Sequence, residues 1–369
     1  MNRTIIEYIK KEAIALPKNN IGLFTGRAGC CLALYIINRQ VNDAELKKIA
    51  DSLLEETIEV SSTCEDLSLD KGLTGIGLAI NYLVSEGYLE GNLDEVLSDI
   101  DALLYKTLKQ ENVRLGISCT SGLIGYLVYL VERISCSTNH ISLYHKINEA
   151  SLRDVINKLE VVLSSQFSGI TKDIYTSIIC NYPILFIYLK KAIELDIYSK
   201  KIYNIVKFWS TYLPSYIPYY NINKLYLIVA LKYLDMTFDY QLFNKYIQTL
   251  IFLLDEDELY KEIDTNIMNI NEGVFFVEIL LQSAKKLFAN TDFGNKCAAL
   301  YLKIHKGLTP LYDNSLETMR TTKNFNLQLI NGFLGVEIIN ILYPSLFKIN
   351  TRRLFFDNST YNNCNGNNK

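Results

Sequence analysis

Hydrophobic positions recur at helical spacing along most of the chain, and they form two alternating kinds of segment. Segment 44–56 is of the first kind, because Leu46, Ile49 and Leu53 share one face while charged residues occupy the other. That pattern predicts a half-solvated helix. Segment 73–83 is of the second kind and is apolar almost all round. A helix of this composition packs against neighbours on both sides.

The alternation predicts fourteen helices in seven pairs. The half-solvated, outer helices are predicted at 3–16, 44–56, 93–108, 152–163, 202–212, 242–254 and 294–306, and inner helices follow them, with bounds such as 121–134, 178–195, 224–235, 273–288 and 332–343. An open stack of two layers would leave one face of the apolar inner layer wet. We therefore predict an all-α fold that closes into an α/α toroid, with inner helices around a central cavity.

Glycines mark the starts of the inner helices. The motif Gly-x-x-Gly or a remnant of it recurs near 26, 72, 122, 181, 221, 273 and 332, which is a period typical of helical repeat arrays. Its members are Gly26, Gly29, Gly72, Gly75, Gly77, Gly122, Gly125, Gly273, Gly332 and Gly335. Glycine allows a sharp turn into a helix and the close approach of a neighbouring backbone. Residues 1–350 are predicted to form one domain, and the polar tail 351–369 lacks periodicity and is predicted to be disordered.

Composition limits the partners and the cellular compartment that we expect for the protein. Half of the 369 residues are hydrophobic and the net charge is −3, which favours neither nucleic acid nor an acidic membrane as a partner. Charged residues recur every few positions in the N-terminal segment, which predicts an amphipathic helix. No apolar run reaches the length of a membrane helix. A cytoplasmic protein with reduced cysteines is therefore expected.

The seven helical pairs with Gly-x-x-Gly, most clearly in segment 72–77, resemble the lanthionine synthetase C family, the cyclases that mature lantibiotic-type ribosomal peptides. The resemblance implies an α/α toroid with a zinc ion at one mouth, held by two cysteines and a histidine. It also implies that a substrate cysteine, bound to the metal as a thiolate, adds to a dehydrated serine or threonine. Precursor peptides and peptide-modifying enzymes are the partners that the resemblance implies.

The chain departs from that family at the metal ligands. Tyr219 stands where the family has its first cysteine ligand, and Asn271 and Glu272 stand where it has its second cysteine and its histidine. A further family histidine, to which an acid/base role is assigned, is replaced by Cys180. Tyrosine and asparagine are poor substitutes for thiolates in a zinc site. We therefore expect no metal and no cofactor.

Two sets of residues offer other chemistry. Cys30, Cys31, Cys119 and Cys180 lie near the starts of inner helices, where an exposed thiol would have a lowered pKa and a buried one would be structural. Glu278 and Glu337 each lie five residues after a motif glycine. If both side chains face the cavity, they would suit acid/base chemistry as in glycosidases. If each forms an ion pair with a basic neighbour, their role would be structural.

Three hypotheses of function remain open at this stage. In the first, the protein has lost zinc chemistry and binds a precursor peptide or a modification enzyme, with contacts from Tyr182, Tyr219, Tyr220, Asn271 and Phe275. In the second, it is an enzyme with relocated chemistry, through Cys180 or through Glu272, Glu278 or Glu337. In the third, it is a purely structural subunit.

Overall fold

The computed structural model describes residues 3–110, 115–137, 141–165, 182–238, 241–263 and 274–305, and in these ranges all regular elements are helices. The helices are α1 (Arg3–Ile14), α2 (Arg27–Val41), α3 (Ala44–Ser61), α4 (Leu73–Ser85), α5 (Leu93–Val96), α6 (Ser98–Leu108), α7 (Leu123–Ser135), α8 (Leu143–Ser165), α9 (Tyr182–Glu194), α10 (Ser199–Tyr212), α11 (Asn221–Asp235), α12 (Asn244–Phe252), α13 (Glu256–Glu262), α14 (Val274–Leu287) and α15 (292–305). A 3₁₀ turn follows α10.

Local sequence explains where the outer helix α3 begins. The side chain of Asp43 accepts a hydrogen bond from Leu46 N (2.9 Å) and thereby caps α3. The apolar face of α3 is buried, as its spacing predicts, and includes Leu46, Ile49 and Leu53. Such a cap satisfies one of the N–H groups that a helix start leaves without a partner.

The helices pack in two layers. The inner layer consists of α2, α4, α7, α9, α11 and α14, and each of these helices contacts the next in this order. The outer layer includes α3, which packs on α2, α8, which packs on α7, and α12, which packs on α11. Side chains such as Leu34, Leu127 and Phe186 on the inner helices are fully buried. The predicted all-α class, with the two-layer architecture of an α/α toroid, is confirmed.

Several predicted helix bounds were wrong. The predicted helix 93–108 is divided at Leu97, which has a non-helical backbone (φ −102°, ψ 3°) and is fully buried. The predicted helix 152–163 extends over Leu143–Ser165, and the predicted helix 242–254 is shorter, at Asn244–Phe252. The short helix α13 was not predicted at all.

Other predictions concern parts of the chain outside the described residues. These are the last inner helix at 332–343, the domain boundary at 350 and the tail 351–369, which all remain predictions. Among the described helices, none combines the length and the apolar character needed to span a membrane.

Candidate functional site

In the first three repeats the loop before each inner helix folds back onto the helix start. The carbonyl of Asn20 accepts a hydrogen bond from Arg27 N (2.8 Å), and the carbonyl of Asp66 accepts one from Leu73 N (2.7 Å). The same bond joins Gly116 O to Leu123 N (2.9 Å) in the third repeat. In each case a loop carbonyl satisfies the first N–H group of the inner helix.

This fold-back explains the first glycine of each motif. Gly26, Gly72 and Gly122 have extended backbones, with φ of −114°, −105° and −137°, so no left-handed conformation is involved. A Cβ on Gly26 would lie 2.6 Å from the carbonyl oxygen of Asn20, and a Cβ on Gly72 would overlap the carbonyl of Asp66. The glycine is required because the loop backbone comes too close for a side chain.

The second glycine of the motif serves the same purpose one turn later. A Cβ on Gly75 would overlap the carbonyl of Leu69, and a Cβ on Gly125 would overlap that of Cys119. Gly29 N lies 3.3 Å from Gly22 O, to which it donates. Gly77 fills a different role, because a Cβ there would lie 2.8 Å from the ring of Tyr129 on the next inner helix.

Hydrogen bonds also join the loops of successive repeats. Leu23 N and Phe24 N donate to Asp70 O at 2.9 and 3.2 Å. One repeat later, Leu69 N and Asp70 N donate to Thr120 O at 2.7 and 3.2 Å. The bonded positions lie two and three residues before the motif glycine each time. The loops of the first three repeats therefore lie side by side at the starts of their inner helices.

The fifth repeat starts its inner helix differently. The carboxylate of Glu262, at the end of α13, accepts hydrogen bonds from Asn221 N (2.8 Å) and Ile222 N (2.9 Å), the first two N–H groups of α11. It also accepts one from Asn221 Nδ2 (2.9 Å). A side chain from a later helix thus performs the capping that a loop carbonyl performs in the first three repeats.

The other polar atoms at this helix start bind one another as well. Asn221 Oδ1 accepts hydrogen bonds from Lys224 Nζ (2.9 Å) and from Asp255 N (3.0 Å). Burial lowers the pKa of the Lys224 ammonium, although the nearby charges of Glu262 and Asp255 act in the opposite direction. Asn221 itself is only 5% exposed. The start of α11 is a compact polar cluster that joins α11 to α13.

The aromatic residues predicted to bind peptide have different surroundings. Tyr219 is 66% exposed and its ring meets that of Tyr220 edge to face at 5.1 Å, just before α11. Tyr182, the first residue of α9, is half-buried. The structure thus places these tyrosines at the starts of the fourth and fifth inner helices. Asn271 and the side chain of Phe275 lie outside the described residues.

Of the described cysteines near the inner-helix starts, Cys30 and Cys31 are buried thiols and Cys119 is half-buried. Cys30 and Cys31 are each 1% exposed, and burial raises the pKa of Cys30 to about 12 and that of Cys31 well above its usual range. Burial likewise raises the pKa of Cys119 to about 11. These thiols stay protonated near neutral pH. Cys180 lies outside the described residues.

Of the three carboxylate candidates, the structure describes only Glu278. Glu278 is 0% exposed, and its Oε1 lies 3.3 Å from Nδ1 of His305 on the outer helix α15. Its carboxyl group therefore faces the outer layer and is not open to the cavity. Glu272 and Glu337 lie outside the described residues, as do Gly273, Gly332 and Gly335.

The residues at the start of α11 do not fit a zinc ion. Tyr219 and Asn221 offer a phenol and an amide, and the nearest carboxylate, that of Glu262, already binds two backbone N–H groups. Structural and catalytic zinc sites use thiolate, imidazole and carboxylate ligands. Among the residues that the structure describes, no group of three or more histidine, cysteine, aspartate or glutamate side chains is placed to hold a metal. Positions 271 and 272 lie outside that part of the chain.

Sequence analysis did not identify Glu262 and His305, whose side chains contact Asn221 and Glu278. Glu262 caps a helix that begins 41 residues earlier in the chain, and nothing local to it distinguishes it from other acidic residues. His305 was recognised only as part of an outer helix. The contacts of both residues are long-range, so no motif could have indicated them.

The described fold and the helix starts define a class: an all-helical repeat protein of two layers, built on Gly-x-x-Gly turns. Residues 4–175 match the family model of lanthionine synthetase C-like proteins. The match covers a little under half of the chain, so it is a similarity to that family, and it includes the three repeats in which both motif glycines are present and described. No curated protein sequence shows significant similarity to the chain.

Proposed function

We propose that this protein takes part in the modification of ribosomal peptides without zinc-dependent cyclase chemistry. In this proposal it binds a precursor peptide, or holds a partner modification enzyme, at the end of the toroid where the inner helices start. The proposal combines the family match over residues 4–175 with the residues found at the start of α11.

The observation that carries the proposal is the hydrogen-bonded cluster of Glu262, Asn221, Lys224 and Asp255. Its carboxylate and amide atoms are committed to N–H groups and to the lysine, at distances of 2.8 to 3.0 Å. A metal ion would need to displace these bonds and to find thiolate or imidazole ligands. The cluster therefore favours a structural role for this helix start over a Lewis-acid role.

One exposed ring, that of Tyr219, and one half-buried ring, that of Tyr220, favour peptide binding at the same place. Tyr219 and Tyr220 precede α11 and expose part of their surface beside the cluster. A tyrosine presents an apolar ring and a polar hydroxyl, which suits contacts with an extended peptide. The remaining candidate contacts, Asn271 and Phe275, are proposed on sequence alone.

The test uses purified full-length protein and a synthetic peptide that carries one cysteine and one dehydroalanine. Metal content is measured by elemental analysis, peptide binding by fluorescence anisotropy, and ring formation by the loss of alkylatable thiol in mass spectrometry. We expect no stoichiometric zinc, measurable binding and no loss of thiol. Stoichiometric zinc together with thiol loss would overturn the proposal and favour an active cyclase.

A matched variant separates binding at the tyrosines from adsorption elsewhere. Tyr219→Ala is compared with Tyr212→Ala, because Tyr212 is also exposed (48%) but lies on the outer helix α10. We expect weaker binding only in Tyr219→Ala. Equal binding by both variants would remove the tyrosine contact from the proposal.

A further inference from the structure

Glu278 occupies a position that the other described inner helices keep free of charge. It is the fifth residue of α14, and the fifth residues of α2, α4, α7, α9 and α11 are Cys31, Gly77, Leu127, Phe186 and Leu225. This position faces the outer layer: Cys31 Sγ lies 3.5 Å from Ala50 O on α3, and the Phe186 ring lies 6.0 Å from that of Trp209 on α10. A carboxyl group at this position is therefore an exception among the described inner helices.

The carboxyl group of Glu278 is only partly compensated. Oε1 lies 3.3 Å from Nδ1 of His305, whereas Oε2 is buried and has no hydrogen-bond partner among the described residues. The buried carboxylate of Asp101 is a contrast, because it accepts hydrogen bonds from Tyr129 (2.6 Å), Asn148 (2.8 Å) and Arg133 (3.2 Å). A buried, ionised carboxylate is costly without such compensation.

The lysines of α15 and Lys232 of α11 make their contacts with groups other than Glu278. The lysines of α15 pair with α13, Lys296 with Glu256 (3.5 Å) and Lys303 with Asp257 (3.7 Å). Lys232 of α11 lies over the ring of Phe288, which follows α14. The titratable groups beside Glu278 in the described part of the chain are His305 and Tyr301, whose rings stack at 5.5 Å.

We propose that Glu278 and His305 form a pH-sensitive latch between α14 and α15. The neutral carboxyl group of Glu278 donates its proton in a hydrogen bond to His305, and the loss of this proton to solvent as the pH rises weakens the packing of the two helices. The His305 side chain is 20% exposed and gives the proton a path to solvent. This inference does not depend on the proposed peptide binding.

The expected pH window follows from the direction of the shifts. Burial raises the pKa of Glu278 from 4.5 to about 8, so the folded state holds a proton that the unfolded state has lost. Stability is then greatest at low pH and decreases as the pH rises from 4.5 towards 8. Burial lowers the pKa of His305 from 6.5, which weakens folding only in the acid range. The range from pH 6.5 to 8 isolates Glu278, because Tyr301, with its pKa raised to about 12 by burial, stays neutral there.

The experiment measures the equilibrium constant of unfolding by denaturant titration at several values between pH 6.5 and 9. For the native protein we expect this constant to rise about tenfold per pH unit near pH 6.5 and less steeply as pH 8 is approached. Glu278→Gln, which keeps the shape and cannot ionise, should lose this dependence. The control Glu258→Gln alters an exposed residue of α13 that pairs with Lys261, and it should retain the dependence.

Two outcomes would overturn the latch. One is a Glu278→Gln variant with the same pH dependence as the native protein. The other applies even if that variant does not fold: the infrared spectrum of the native protein should show a protonated carboxyl band at pH 7 that disappears by pH 9. A spectrum with only ionised carboxylates at pH 7 would contradict a neutral Glu278.

Discussion

The first N–H groups of the inner helices obtain their hydrogen-bond acceptors in two different ways. In the first three repeats the carbonyl of a residue seven positions earlier, such as Asp66 for Leu73, binds the first N–H group of the helix. In the fifth repeat the carboxylate of Glu262, from a later helix, binds the first two N–H groups of α11. The first solution brings backbone against backbone and requires glycine, whereas the second does not. This difference gives a physical reason for the absence of motif glycines from the fifth repeat.

The first three repeats and the fifth repeat also differ in which atoms form the surface at their helix starts. Backbone bonds between loops, such as Leu69 N to Thr120 O, make the first three repeats continuous with one another. In the fifth repeat side chains form the cluster, and Tyr219 is left exposed beside it. Ligand binding is therefore proposed where side chains, rather than backbone, form the surface.

The largest effect is expected where the loop backbone is closest. Gly72→Ala introduces a Cβ that overlaps the carbonyl of Asp66, so the loop must move, and we expect a loss of about 3 kcal/mol in the free energy of unfolding. The control is Gly91→Ala, where the nearest atom to a Cβ is Val96 Cγ2 at 3.8 Å. Denaturant titration should show little change in the control. Equal stability of the two variants would contradict the close-approach explanation.

The second prediction concerns the carboxylate that caps α11. Glu262→Ala leaves Asn221 N and Ile222 N without their acceptor, and we expect a loss of about 2 kcal/mol in the free energy of unfolding. The matched change Glu258→Ala, on the exposed face of the same helix, should cost less than about 0.5 kcal/mol. If the two losses are alike, Glu262 is not the cap that the structure indicates.

A smaller effect is expected for the amide within the cluster. Asn221→Ala removes the bonds of its side chain to Glu262, Lys224 and Asp255 N but leaves the helix cap in place. We expect a loss of about 1 kcal/mol. Asn204→Ala, at an exposed position of α10, is the control and should be neutral in denaturant titration. A loss as large as that in Glu262→Ala would mean that the amide, not the carboxylate, organises the helix start.

The smallest effect on folding is expected at Tyr219. Because its side chain is 66% exposed, Tyr219→Ala should change the free energy of unfolding by less than about 0.5 kcal/mol. Peptide affinity should decrease by up to about tenfold, which is the usual contribution of one aromatic contact. Thermal denaturation and fluorescence anisotropy measure the two quantities. A destabilised variant with unchanged affinity would assign Tyr219 to the fold rather than to binding.

Much of the helical arrangement could be predicted from hydrophobic spacing. The outer helix α3 and the inner helix α4 begin where apolar periodicity and Gly72 placed them, although α3 continues to Ser61, beyond its predicted end at 56. The predictions failed where packing overrides local pattern: Leu97, fully buried with a non-helical backbone, interrupts a segment that is helical by spacing. The short helix α13 was missed because seven residues carry too little periodicity to detect.

The sequence by itself determined the layer to which the long helices α3 and α4 belong and the places where two backbones come within reach, because hydrophobic periodicity and glycine act over a few residues. Only the tertiary structure decided which charged groups meet. It placed Glu262 on the start of α11 and turned Glu278 towards His305. The partners in these contacts are 41 and 27 residues apart, and their meeting depends on how neighbouring repeats pack.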